Sequence, residues 1–135
     1  MDFRDLRVWD EAMELAEQVY AVTSTFPNEE RFGLTAQLRR SAVSVPSCIA
    51  EGNGRDGVRD YLRFLSMARG SLSELHTQVM LSTRLGFIAL TAAAQLEHQI
   101  LKVGKLLQTL RKSLRAKLPR NTHSPFPIPH SPKTP

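Results

Sequence analysis

The chain has 135 residues, of which 41% are hydrophobic and 23% charged, a size and composition that fit one domain built around one core. No apolar run approaches the roughly 18 residues of a helical membrane span. The charged N-terminus MDFRDLRVWDE has no apolar leader segment, so the expectation is a cytoplasmic protein. Cys48 is the sole cysteine, which excludes an intrachain disulfide and fits a reducing compartment. The formal net charge of +5 is unevenly placed. Residues 1–75 hold 9 Arg and no Lys against 12 Asp and Glu, whereas residues 76–135 hold 9 Lys and Arg against the single acid Glu97. A basic half of this kind points to a polyanionic partner or to a solubilising tail.

Taken in chain order, the first predicted element is a helix over residues 3–23. Leu6, Trp9, Met13, Ala16 and Tyr20 recur at helical spacing, and Ala12, Leu15, Val19 and Val22 widen the same face. Pro27 and Gly33 in FPNEERFG break the pattern. A second helix carries Leu34, Leu38, Ala42, Val45 and Ile49 inward. Pro46 lies within it and predicts a kink, a break at Ser44 being the alternative. The third helix is expected over residues 56–85, with Asp56 as N-cap and Tyr61, Leu65, Ala68, Leu72, Leu75 and Val79 in the core. The fourth is expected to start after Thr91, a second candidate cap. Its series Ala93, Leu96, Ile100, Val103, Leu107, Leu110 and Leu114 alternates steps of 3 and 4, the repeat of left-handed helical bundles.

No segment alternates as a strand would. The terminal stretch PRNTHSPFPIPHSPKTP holds six of the eight prolines and is expected to add nothing to the core. Short connections make neighbouring helices antiparallel. The predicted architecture is an all-α, up-down-up-down four-helix bundle over residues 1–117, followed by a disordered, basic, Pro-rich tail over residues 118–135.

The stretch EGNGRDG, residues 51–57, tests whether the chain holds a phosphate-cradling loop. Such a loop leads from a strand into a helix and usually carries a lysine. This one follows a helix and has no Gly-Lys-Ser/Thr, so its glycines read as a helix stop and a turn requiring positive φ. In the predicted topology this corner shares an end with both termini. Arg55 and Arg59 then lie near Arg4 and Arg7, and near Arg111, Lys112, Arg115, Lys117 and Arg120, with Asp2, Asp5, Glu51, Asp56 and Asp60 at the same end. Lys102, Lys105 and Lys112 fall roughly opposite the apolar stripe of the fourth helix. Ordinary exposed helices mix signs, and this one has almost no acids.

Motifs for chemistry are absent. His76, His98, His123 and His130 include no Glu-x-x-His spacing, so no metal site is expected. Cys48 reads as a small buried residue, and no hydrolase or metalloprotease motif occurs. The expectation is a protein with no catalysis and no cofactor. Two polar series share helix faces: Arg40, Ser44, Ser47 and Glu51 on the second helix, and Ser66, Gly70, Ser73 and Thr77 on the third. Both are solvated or meet other subunits. A subunit contact is preferred, because a helix-interior glycine costs about 1 kcal/mol relative to alanine and so suggests a packing reason.

The segments FRDLRVWDEA, FPNEERFGLTAQLRRSAVSVPSCIAEGNGR and ARGSLSELHT resemble the 23S rRNA intervening-sequence protein family over about residues 3–110. The family usually has Asn where this chain has Cys48. The resemblance implies an all-α bundle that assembles as a homopentamer around a central channel, encoded within intervening sequences of bacterial large-subunit rRNA genes and elsewhere. The chain is also similar to the accessory variability protein of diversity-generating retroelements, a basic pentamer that works with a reverse transcriptase and nucleic acid.

Charge and resemblance together predict an oligomer that binds nucleic acid, RNA before DNA, through Arg55, Arg59, Lys102, Lys105, Arg111, Lys112, Arg115 and Lys117. Arg4, Arg7 and Arg120 are secondary candidates. The alternative is a scaffold that docks a protein partner such as a polymerase. With Trp9, Tyr20 and Tyr61 assigned to the core, no base-stacking platform is expected and sequence specificity should be low.

Overall fold

Each of the four amphipathic segments has one apolar face that gains free energy by leaving water. In the computed structural model, which describes residues 1–119, these faces meet in one continuous core. Helix α1 spans Arg7–Thr23, α2 Leu34–Asn53, α3 Val58–Arg84 and α4 Leu90–Arg115. There is no strand among the described residues. Each helix packs against its neighbours in the cycle α1, α2, α3, α4, as an up-down-up-down bundle requires. From Arg120 on, the Pro-rich tail, with His123 and His130, lies outside the described residues.

The core is the predicted one in α2, and in α3 and α4 apart from Tyr61 and Leu110, which are half-buried against it. Leu34, Leu38, Ala42, Val45 and Ile49 are buried, as are Leu65, Ala68, Leu72, Leu75 and Val79, and α4 adds Ala93, Leu96, Ile100, Val103, Leu107 and Leu114. Pro46 is buried inside an α2 that runs unbroken, so the alternative stop at Ser44 does not occur.

In α1 the inward face is displaced from the predicted centre. Val8, Ala12, Leu15, Ala16, Val19 and Thr23 point inward, while Met13 and Tyr20 are exposed and Trp9 is half-buried. The displacement follows from partners at the flank: Phe3 meets Trp9 edge-on at 5.2 Å, and the Arg39 guanidinium covers the Tyr20 ring at 4.4 Å. Tyr61 is also half-buried, and its hydroxyl accepts a hydrogen bond from Asn53 Nδ2 at 3.1 Å.

Three predicted helix starts move. Residues 3–23 are not one helix. A 3₁₀ turn, Phe3–Asp5, is capped by Asp2, whose Oδ1 accepts the Arg4 amide at 2.9 Å, and extended Leu6 separates it from α1. Asp56 does not cap α3; Gly57 stands at that position, without a side-chain cap. Thr91 lies inside α4, which is preceded by Ala89. At α2 the cap comes from the preceding loop, where Glu30 Oε1 accepts the Leu34 amide at 3.0 Å and sets a carboxylate at the positive end of the helix.

The glycine corner exists, for a different reason from the predicted one. Gly86, between α3 and α4, is the glycine with positive φ among the described residues; Gly52, Gly54 and Gly57 have none. Gly52 is there for proximity. A Cβ at that position would lie 2.9 Å from Phe64 Cβ and 3.2 Å from the Tyr61 carbonyl oxygen, so the last turn of α2 packs directly on the first turns of α3. The opposite end is closed by Phe26 and Phe87, 5.6 Å apart, from the α1–α2 and α3–α4 connections.

The Tyr61 ring, 3.0 Å from a Cβ at Gly52, could turn, but the Phe64 Cβ and the Tyr61 carbonyl oxygen are fixed to the backbone and cannot swing aside. Gly52→Ala should lower the unfolding free energy by about 1–3 kcal/mol in urea titration. Gly57→Ala, whose added Cβ meets nothing within 4 Å, should stay within about 0.5 kcal/mol of the wild type.

Candidate functional site

The cationic side chains proposed from sequence fall into two groups. At the corner, Arg55 is neutralised: it approaches Glu51 at 3.3 Å and Asp60 at 3.7 Å, and its guanidinium covers the Phe64 ring at 4.5 Å. Arg4 is held by Asp2 at 2.6 Å, and this hydrogen bond keeps the Asp2 carboxyl down at about 2. Arg63 takes Asp60 from the other side at 2.8 Å. Arg7 and Arg59 are exposed and have no ion pair among the described residues. Within the predicted basic rim, Arg4 and Arg55 are thus offset by acids at the same end, whereas Arg7 and Arg59 are not.

The other group is on and beside α4. Lys105, Lys112, Arg115 and Lys117 are exposed and form no ion pair among the described residues. Lys112 and Arg115 sit in the last turn, where the helix dipole favours cations, but Lys105 lies more than a turn earlier and has no such reason. Lys102 differs from the others. It lies 3.5 Å from Glu11 of α1, whose backbone carbonyl and Oε1 also accept the buried Gln99 amide at 2.9 and 2.8 Å. Gln99 first, and Lys102 after it, hold the Glu11 carboxyl below its usual value.

Between α3 and α4 the bundle surface opens into a groove of about 860 Å³. Its cations are Lys102, Lys105, Arg111 and Arg115 from α4 and Arg69 from α3, and among the described residues no carboxylate lines it. His76 and His98 line its other half, with His76 Nε2 3.3 Å from Glu97. Arg111 stands apart from the other cations. It is buried, with 9% of its surface exposed, and its Nε has no hydrogen-bond partner among the described residues. Burial first, then the like charges of Arg69 and Arg115, lower its pKa, yet a guanidinium stays charged at neutral pH.

Arg69, His76 and His98 also line this groove, and no sequence motif marks them as members of it. Arg69 and His76 are seven residues apart, and so lie on one side of α3. That signal was readable once α3 and α4 were taken as neighbours.

The two small-residue series separate. Ser44 turns inward, sharing a 2.8 Å hydrogen bond with Ser71 of α3, and Ser41 donates to Glu74 at 3.2 Å beside it. Ser44 is therefore not on an outer face with exposed Arg40, Ser47 and Glu51. On α3, Ser66, Gly70, Ser73 and Thr77 are all exposed, and a Cβ at Gly70 would meet nothing within 4 Å. Cys48 is buried, with its sulfur 3.8 Å from Ser44 Oγ. Among the described residues no three metal-ligating side chains cluster, and no helix is long and apolar enough to cross a membrane.

A family model described as 23S rRNA-intervening sequence protein matches residues 4–109. Among solved structures, one similar chain is a protein of unknown function from the S23 ribosomal protein family of Bacteroides thetaiotaomicron. It shares 21% identity at a TM-score of 0.70, over 78% of this chain and 98% of that one, a likeness of fold. No curated protein matches.

Two outcomes follow from the electrostatics. Arg111→Met should be neutral or should stabilise the protein by about 1–3 kcal/mol in phosphate-free buffer, because it removes an unpaired buried cation while keeping the packing volume. Equilibrium unfolding reads this directly. Glu11 has a lowered folded-state pKa, so its contribution is present above the ordinary carboxylate range and is lost as the pH falls through the folded value. Thermal melts between neutral and acidic pH should show a gap between wild type and Gln99→Ala that narrows on acidification.

Proposed function

The chain belongs to the 23S rRNA-intervening sequence protein family, and from that premise we propose that it is a non-enzymatic, oligomeric bundle that binds nucleic acid, structured RNA before DNA, through phosphate contacts. One observation carries this reading: Lys105, Lys112, Arg115 and Lys117, in and just beyond the C-terminal half of α4, are exposed with no carboxylate among the described residues to neutralise them. Arg59 adds an unpaired cation at the same end. Arg55 and Lys102, already paired with Glu51, Asp60 and Glu11, are the weakest contributors among the basic residues that the sequence singles out. The family description supports RNA as the polyanion. Repetition of the patch around a pentamer, the assembly implied by the resemblance, would raise avidity without further contacts.

A second reading has a specific observation of its own. The exposed stripe Ser66, Gly70, Ser73 and Thr77 is flanked by exposed Met67, Met80 and Leu81, a surface suited to another helix. It favours subunit contact or a scaffold that docks a protein such as a reverse transcriptase.

Filter binding against salt tests both. Four phosphate contacts per protomer on single-stranded RNA give a slope of log affinity against log salt of about −3. The triple variant Lys105→Glu, Lys112→Glu and Arg115→Glu should abolish retention while light scattering still reads a multiple of the 15.2 kDa chain. Unchanged retention selects the scaffold. No binding to RNA or DNA at low salt removes the nucleic-acid reading, and a monomer at micromolar concentration removes the oligomer.

A further inference from the structure

We propose that Arg69, Arg111 and Arg115 form a seat for one phosphate group in the α3–α4 groove, with Arg111 as its anchor. The proposal rests on the nucleic-acid reading only for the source of that phosphate, a backbone phosphodiester. Three observations carry it. Arg111 is 9% exposed, and its Nε is closed to solvent with no partner among the described residues, whereas buried donors in folded proteins are nearly always satisfied. The charges that act on it most are those of Arg69 and Arg115, both exposed, and among the described residues no carboxylate lines the groove to offset them. The result is a gap in the charge balance that an anion fills.

Guanidinium groups suit phosphate in particular. Each is a planar fork that matches two phosphate oxygens, and three forks meet an ion with more oxygens and more charge than a carboxylate. The groove, at about 860 Å³, is far larger than a phosphate ion, so the group it seats is attached to something extended. Exposed Leu101 and Gln108 line the space beside the arginines and offer an apolar contact and an amide to the rest of a nucleotide. The seat also orders the cations functionally: Lys112 and Lys117 attract the strand from outside, Lys105 from within the groove, and Arg111 fixes where one phosphate stops.

The test uses the full chain and inorganic phosphate, titrated against sodium chloride at matched ionic strength, with thermal unfolding as the readout. Phosphate should raise the melting temperature saturably. Arg69→Ala, at an exposed site, and Arg111→Lys, which keeps the charge but loses the fork, should each weaken the apparent phosphate affinity about tenfold or more. Arg59→Ala, outside the groove, should leave it unchanged. Absence of a phosphate-specific rise in the wild type, or a rise that survives Arg69→Ala and Arg111→Lys alike, overturns the seat even if RNA is retained by the outer lysines. In a second arm a short RNA oligonucleotide competes with phosphate. Competition lost in Arg69→Ala supports the phosphodiester source. A phosphate effect without any RNA retention keeps the seat, assigns it a free or monoester phosphate, and defeats the nucleic-acid reading instead.

Discussion

The close approach of α2 to α3 is the constraint on which the rest of the molecule depends. Gly52 lets the end of α2 lie on Tyr61 and Phe64, and Ser41 and Ser44 reach Glu74 and Ser71 further along the same seam. Small residues bring the two backbones together, and hydroxyl hydrogen bonds satisfy the polar atoms that this proximity buries. Once α2 takes one flank of α3, that helix has a single flank left for α4. Arg69, Ser73 and His76, on the α4 side, therefore face the groove, while Ser66, Gly70 and Thr77 remain outside it.

Charge pairing then sorts the cations. The corner holds basic and acidic residues within a few positions of each other, Arg55 beside Glu51 and Asp60, Arg63 beside Asp60, Arg4 beside Asp2, so short-range pairing offsets these three arginines. In such exposed pairs the stabilisation is small. Their effect on function is larger, because a paired guanidinium has less charge to offer a polyanion. The α4 side has only Glu97 nearby, and Glu97 lies against His76. The low acid content of residues 76–135 thus becomes a cationic surface only because the fold keeps the acids of α1 and α2 away from it. Glu11 is the exception, reaching across to Gln99 and Lys102.

The bundle itself was legible in the sequence, most clearly in α2, α3 and α4, where the apolar residues recur so regularly that their burial follows from periodicity. In α1 two apolar stripes lay side by side, and periodicity alone could not rank them. Packing against Arg39 and Phe3 did, leaving Tyr20 at the surface. Helix starts were less legible, since Asp56 and Thr91 have the right chemistry for caps yet the chain turns one residue after the first and two before the second. Pairing was less legible still. Charge and resemblance mark Arg111 and Arg115 as contacts, but nothing in the spacing says that one is buried without a partner and the other exposed.

The amino-acid sequence by itself determined four amphipathic helices, their antiparallel order and the excess of cations in the second half. These follow from periodicity, loop length and composition, all of which are local or additive. The tertiary structure decided which cations are neutralised and which are exposed, that the glycine at position 52 serves contact and not positive φ, and that Arg69 joins Arg111 and Arg115 across two helices. Those outcomes depend on distances between residues remote in the chain, and such distances exist only once the helices have packed.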